Sequence, residues 1–241
     1  MFRGLYAAAT ALDAAQRAQD TTAENVANVN TPGFRQRGVR FETFDRLLER
    51  DVPPTGDILG TQLVSSFADF RPGPLQNTGN PFDLALSEPD QFFVVQGPNG
   101  PMYTRDGAFR VSADGKVLTQ SGYPLLGDGG PVEVPTNTAT VTVAADGSIA
   151  ADGAPSGRVQ VARFADPSQL RAVGPVHFAA PQGVTPETAD ARVRQGYREG
   201  SNVNAAHAMV GMIAGSRYYE AAQRALRTIS ESVQLNTRPQ G

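Results

Sequence analysis

Cysteine is absent from this 241-residue chain, which removes disulfides, thiol nucleophiles and Cys-ligated zinc. Tryptophan is also missing, and aromatic residues make up only 7%, which argues against an aromatic-lined ligand cage. Histidine occurs twice, as His177 and His207, in different segments and without a His-Glu-x-x-His spacing. Basic residues do not outnumber acidic ones. A formal net charge of -3 provides no positive field for nucleic acid or for membrane insertion at an anionic surface. No apolar run approaches the length of a membrane span. The N-terminal Met1-Phe-Arg-Gly-Leu-Tyr-Ala-Ala-Ala-Thr carries one charge and is soon interrupted by Asp13 and Gln16, a poor cleavable signal. Export, if it occurs, is expected to use a route that reads no cleaved leader. Phosphate loops, dinucleotide fingerprints and Gly-x-Ser-x-Gly elbows are missing too, so no enzyme activity and no cofactor are expected.

What is present divides the chain into two kinds of sequence. The 25 Gly and 18 Pro are spread through the middle and are sparse at the two ends. Residues 3–29 predict a helix, with an apolar series that includes Leu5, Leu12, Val26 and Val29. Ala7, Ala8, Ala9, Ala11, Ala14, Ala15 and Ala18 add strong helix propensity and a thin surface for close helix approach. Residues 203–235 predict a second helix, carrying Val203, Met209, Ile213, Leu226, Ile229 and Val233. Ser201-Asn202 is read as its cap. Gly211 and Gly215 soften it at about 1 kcal/mol each relative to Ala. Neither helix has enough neighbouring sequence to cover its apolar stripe, so the two ends are expected to meet each other and then further subunits.

The first helix stops at Asn28-Val-Asn-Thr-Pro-Gly-Phe. Pro32 cannot continue it, Thr31 is pushed toward extended geometry, and Gly33 and Phe34 supply a turn and an anchor. Asn25 and Asn28 share a helix face, from which their amides can cap the reversing backbone. Residues 35–66 are less regular, with a short amphipathic turn around Phe41, Phe44, Leu47 and Leu48 and a break at Asp51–Asp57. From 67 to 200 the pattern is β: Asp83–Ser87 alternates, Gln91–Gln96 is a compact buried strand, and Asp-Gly pairs mark turns. Further strands are expected at 108–111, 116–119, 131–134, 139–143, 148–150, 158–164, 175–179 and 191–197. The Asp-Gly pairs lack the alternating ligands and closing Glu of a calcium loop. Asp83 and Asp106 considered as a glycosidase carboxylate pair have no supporting spacing and are read as exposed turn residues. His207, among alanines, is read as part of a polar helix face.

Four stretches resemble one family, in order along nearly the whole chain. Asn25-Val-Ala-Asn-Val-Asn-Thr-Pro-Gly-Phe-Arg is similar to the Asn-x-x-Asn-x-x-Thr-x-Gly-Phe/Tyr signature of bacterial flagellar rod, hook and hook-associated proteins. Gly79-Asn-Pro-Phe-Asp-Leu-Ala-Leu, Phe92-Phe-Val-Val and Tyr103-Thr-Arg-Asp-Gly-Ala-Phe resemble their central domain, as does Gly122-Tyr-Pro-Leu-Leu-Gly. Gln195-Gly-Tyr-Arg-Glu-Gly-Ser-Asn-Val-Asn, Met209-Val-Gly-Met-Ile and Arg217-Tyr-Tyr-Glu resemble their C-terminal helix. One departure is Ser87-Glu-Pro-Asp-Gln-Phe-Phe, where the family usually has a Gly-rich turn. Chain length and the single small central domain point to FlgF/FlgG-like rod proteins, and Glu199-Gly-Ser-Asn-Val leans toward the proximal-rod branch.

The resemblance implies an α+β chain with paired N- and C-terminal helices forming a coiled-coil-like base and a central all-β domain. Four parts are expected: an assembly helix and turn at 1–34, a linker at 35–66, a β domain at 67–200 and an assembly helix at 201–241. The signature residues are Asn25, Asn28, Thr31, Gly33, Phe34, Gly200, Ser201, Asn202, Val203 and Asn204. Implied partners are further copies of the chain, other flagellar rod proteins and the flagellar type III export apparatus, and the implied location is the periplasm-spanning rod of the basal body. Two other classes make different demands on the sequence. An oligomeric β domain that binds an envelope component such as peptidoglycan would retain binding in residues 67–200 alone, and a hydrolase would need an acid/base constellation that the sequence does not offer.

Overall fold

The computed structural model describes residues 2–43 and 61–237. They divide into two compact units. The first draws on Met1–Ala27, Arg37–Ala68 and Asn204–Gly241, the second on Asn28–Gln36 and Asp69–Val203. Helices and strands together make the chain α+β. The expected turn through Phe44, Leu47 and Leu48 and the break at Asp51–Asp57 lie outside the described residues.

In the first unit, α1 spans Phe2–Ala27. Its alanines supply propensity, and Asp13 and Arg17, one turn apart, form an ion pair at 2.8 Å. The second helix, α2, spans Ala205–Thr237 and runs unbroken through both glycines. The two helices pack together. Gln19 Nε2 donates to Ser216 Oγ at 3.5 Å, and a carbon added at Gly211 would lie 3.7 Å from the Thr22 methyl. Gly211 therefore faces α1 at ordinary contact distance, whereas a carbon added at Gly215 would meet no other group within 4 Å among the described residues. The stretch expected as an irregular linker carries two strands, β1 (Arg37–Thr43) and β2 (Thr61–Ala68), paired antiparallel with an irregularity at Arg40/Phe41. Each has the β-branched and aromatic residues that strands favour, Val39 and Phe41 in one, Val64 and Phe67 in the other. The Pro and Gly between them dominated the sequence pattern.

The second unit is built on a six-stranded antiparallel sheet. Its central strands are β5 (Gln91–Gly97) and β6 (Gly100–Thr104), and β7 (Val161–Arg163) continues it beyond β5. Five consecutive residues, Gln91 to Val95, are buried, because both faces of the sheet are covered. On one face lies the aliphatic core, with Phe93, Val95, Met102, Phe109, Leu125 and Val161. On the other Phe92 meets Phe70, Phe164 and Phe178 edge-on, with ring centroids 5.7, 5.8 and 6.4 Å away. Smaller ribbons surround the sheet. Among them β3 (Leu75–Asn77) pairs with β9 (Tyr197–Glu199), and β4 (Leu84–Leu86) pairs with β8 (Val193–Gln195). All three β4 residues are buried, so the expected alternation over Asp83–Ser87 does not occur. Leu84 and Leu86 join the apolar core, and Ala85 between them is fully buried as well. A 3₁₀ turn at Pro167–Gln169, with Asp166 capping it, is the one helical element described in this unit.

Candidate functional site

Two arrangements stand out: an apolar stripe on the helices of the first unit, and a crossing of signature segments within the second. On α2, Met209, Val210 and Ile213 are 54%, 65% and 57% exposed. At about 100° per residue these three positions fall within one arc of roughly 100°. On α1, Ala15 is buried while Leu12 and Val26 are half-buried, and Leu226 on α2 is half-buried too. Leu5, Ile229 and Val233 lie within the helices. Val29 and Val203 do not. Val29 falls in the turn after α1, and Val203 is buried within the second unit.

The helix boundary at Val203 was misplaced because the cap is Asn204. Its Oδ1 accepts from the His207 amide at 3.0 Å, and its carbonyl accepts from the Ala208 amide at 2.9 Å. Ser201 and Asn202 have other tasks. Ser201 Oγ accepts from the Val203 amide at 3.2 Å. Asn202 ties three chain segments: its Oδ1 accepts from the Gln36 amide at 2.7 Å, and its Nδ2 donates to the carbonyls of Asp69 and Arg71 at 2.8 and 2.9 Å. His207 itself is exposed, as a polar-face residue should be.

The N-terminal signature forms the expected corner. In the first unit, Asn25 Nδ2 donates to the Arg37 carbonyl and Asn25 Oδ1 accepts from the Arg37 amide, each at 2.8 Å. One buried amide thereby fixes the start of β1. In the second unit, Thr31 Oγ1 donates to Asn28 Oδ1 at 3.2 Å. Gly33 has φ +68°, and a Cβ there would lie 2.2 Å from the Asp106 nitrogen. Only glycine fits such an approach. Phe34 beside it is fully buried.

Arg35, Arg105 and Glu199 carry the buried electrostatics, a role that motif reading did not give them. Arg35 Nη2 donates to Glu199 Oε1 at 2.7 Å, and Arg105 Nε donates to Glu199 Oε2 at 2.7 Å. The Gly73 amide adds a bond to Oε1 at 2.8 Å. All three side chains are at most 2% exposed. Arg105 also donates through Nη1 to the carbonyls of Glu88 and Gln91, both at 2.6 Å. Those bonds hold the Ser87–Asp90 turn that departs from the family's glycine-rich pattern. Burial lowers the Arg105 pKa from its ordinary value, and Glu199 opposes that shift. The available signal was a charge embedded in each of three motifs: Gly-Phe-Arg, Tyr-Thr-Arg and Arg-Glu-Gly.

Asp83 and Asp106 are both buried, which overturns their reading as exposed turn residues. Burial pushes the Asp106 carboxyl up to about 6. The Ala108 amide opposes that rise, the Asp83 charge adds to it, and Arg198 opposes it. Their bonds are internal: Asp83 Oδ1 accepts from Asn80 Nδ2 at 3.1 Å and Asp106 Oδ1 from the Ala108 amide at 3.0 Å. Gly107 is not a free turn either, since a Cβ there would lie 1.6 Å from the Leu84 carbonyl oxygen. By contrast Gly115, Gly147 and Gly153 follow their aspartates with positive φ, as hairpin turns require. His177 is buried against Tyr123 at 5.2 Å between ring centroids, and burial lowers its pKa. Among the described residues no group of three or more His, Cys, Asp or Glu is placed to hold a metal.

Comparison with known proteins covers the same segments. Residues 5–35 match the profile described as flagella basal body rod protein, and residues 88–151 that of the flagellar hook protein FlgE/F/G D1 domain. Residues 194–235 match the flagellar basal body rod FlgEFG protein C-terminal profile. The flagellar basal-body rod protein FlgG of Borreliella burgdorferi is 32% identical, over 95% of each chain. FlgF of Mesorhizobium japonicum is 33% identical over 95% of this chain and 93% of its own, and FlgF of Salmonella typhimurium is 34% identical over 96% of each. Such identity over nearly the whole of each chain places the protein in the flagellum basal body as a structural component: it belongs to the flagellar basal-body rod protein family.

Proposed function

We propose that the chain is an axial rod subunit that polymerises through α1 and α2 as a coiled-coil-like base and so transmits torque along the drive shaft. The exposed stripe of Met209, Val210 and Ile213 carries this reading. Burying apolar surface against neighbouring copies and other rod proteins contributes about 25 cal/mol per Å². Contacts that repeat head to tail without closing extend as a helical filament. In this reading the residues serve four tasks: assembly helix and corner at 1–34, connection at 35–66, all-β domain at 67–200 and assembly helix at 201–241. The exposed stripe residues are the assembly site, and the signature residues build the corner after α1 and the entry to α2. Delivery through the flagellar type III export apparatus is part of the same reading. A place in the proximal rod, like FlgF, is supported by the Glu199–Val203 run. FlgF and FlgG relatives are about equally similar to it.

Truncation after Asn204 tests the reading. Val203 belongs to the core of the second unit, so a cut at 203 would confuse loss of assembly with loss of packing. Cells carrying only the chain shortened after Asn204 are expected to lack it in purified basal bodies and not to swim. Swimming cells with the shortened protein in their basal bodies would sink the reading.

A further inference from the structure

We propose that the cleft in the second unit that seats Asn28–Gln36 is a recognition site for this peptide sequence, able to take the same segment from a second copy of the chain. The proposal is independent of the rod reading, which concerns the helix stripes. Within this unit the segment is an insert: 28–36 is separated from 69–203 by residues assigned to the other unit. It is held by noncovalent contacts that read three residues in a row.

Gly33 permits an approach that no Cβ allows, against the Arg105–Asp106 backbone. Phe34 is fully buried. Arg35 meets the carboxylate of Glu199, which Arg105 and the Gly73 amide already orient. Backbone bonds fix the register: the Gly33 amide donates to the Glu199 carbonyl at 2.8 Å, and the Asp69 amide to the Gln36 carbonyl at 2.8 Å. Asn202 closes the far end through the Gln36 amide. Main-chain bonds for affinity and side-chain positions for specificity are the division of labour of peptide recognition.

The fitting occupant is a second copy, because each copy carries Gly33-Phe34-Arg35 and exchange of an identical segment loses no contact. In an isolated chain the tether holds the cleft's own segment at an effective concentration on the order of millimolar, so self-occupancy wins. Crowding many copies together removes that advantage.

The test uses the full-length Gly33→Ala chain, whose own segment cannot seat, and a labelled peptide of residues 28–36. Saturable binding to this variant is expected at peptide concentrations on the order of millimolar or below, with none to the wild-type chain. A peptide carrying Arg35→Met should bind about tenfold more weakly or worse. If Gly33→Ala unfolds the second unit, the wild-type peptide should restore its β-type circular dichroism. A second measurement mixes Gly33→Ala chains with Glu199→Ala chains, one with a sound cleft and the other with a sound segment. Heterodimers should form in the mixture and in neither sample alone. A peptide that neither binds nor restores structure overturns the proposal. So does equal binding of the Arg35→Met peptide, equal binding to the wild-type chain, or a mixture that stays monomeric.

Discussion

Removing the Glu199 carboxylate tests how the second unit is held together. Glu199→Ala takes away a carboxylate hydrogen-bonded to both Arg35 and Arg105 and leaves two guanidinium groups in a site where each is at most 2% exposed. Breaking a buried ion pair from one side costs about 3–5 kcal/mol, because the surviving charge stays desolvated. The Gly73 amide loses its acceptor as well. For a unit of this size each kcal/mol lowers the midpoint by about 2–4 °C, so a drop of roughly 6 to 20 °C is expected. Arg35→Met is the informative contrast. Glu199 keeps Arg105 and the Gly73 amide, and the change removes Nε and Nη1, two buried donors for which no acceptor is placed. Its cost should therefore fall to about 1–2 kcal/mol. Urea and thermal unfolding followed by circular dichroism would give both numbers. If Glu199→Ala loses less than Arg35→Met, the carboxylate is not the organising charge.

Two further outcomes concern the same unit. Asp106 has its folded pKa raised to about 6 from 3.8, so its stabilising contribution is complete below the unfolded value and is lost as pH rises through about 6. Relative to wild type, Asp106→Asn should thus gain stability between pH 4 and pH 7.5, by up to about 3 kcal/mol; a pH-independent difference in urea unfolding would refute the assignment. Gly107→Ala, with its Cβ 1.6 Å from the Leu84 oxygen, should destabilise far more than Gly122→Ala, where φ is +87° but nothing lies within 4 Å. The latter should cost about 1–2 kcal/mol from conformation alone, and similar melting temperatures for the two would contradict the close approach at Gly107.

Much of the architecture was legible because local physics and tertiary context agreed. The alanines of α1, the Pro32 stop, the glycine at position 33 and the Gln91–Gln96 run all specify their conformations by themselves. Errors arose where a distant partner decided the outcome. Ser201 and Asn202 look like a cap, but Asn202 is engaged by Gln36, Asp69 and Arg71, so capping passes to Asn204. Asp106-Gly107 looks like a hairpin turn, but the Leu84 carbonyl occupies the space beside Gly107. Residues 37–43 look like linker until β2 pairs with them. Of the candidate site, the stripe on α2 was readable from its period. The ion cluster was not, since its members lie far apart in the chain and nothing local marks Arg35 or Glu199 as buried.

The central claim, assembly through the α2 stripe, is tested most directly by Ile213→Asp. Ile213 is 57% exposed, so the free chain should keep its β signal and change stability by no more than about 0.5 kcal/mol. Incorporation into isolated basal bodies, read by immunoblot against wild type at equal expression, is expected to be lost. Normal incorporation of a stably folded Ile213→Asp chain would contradict the account.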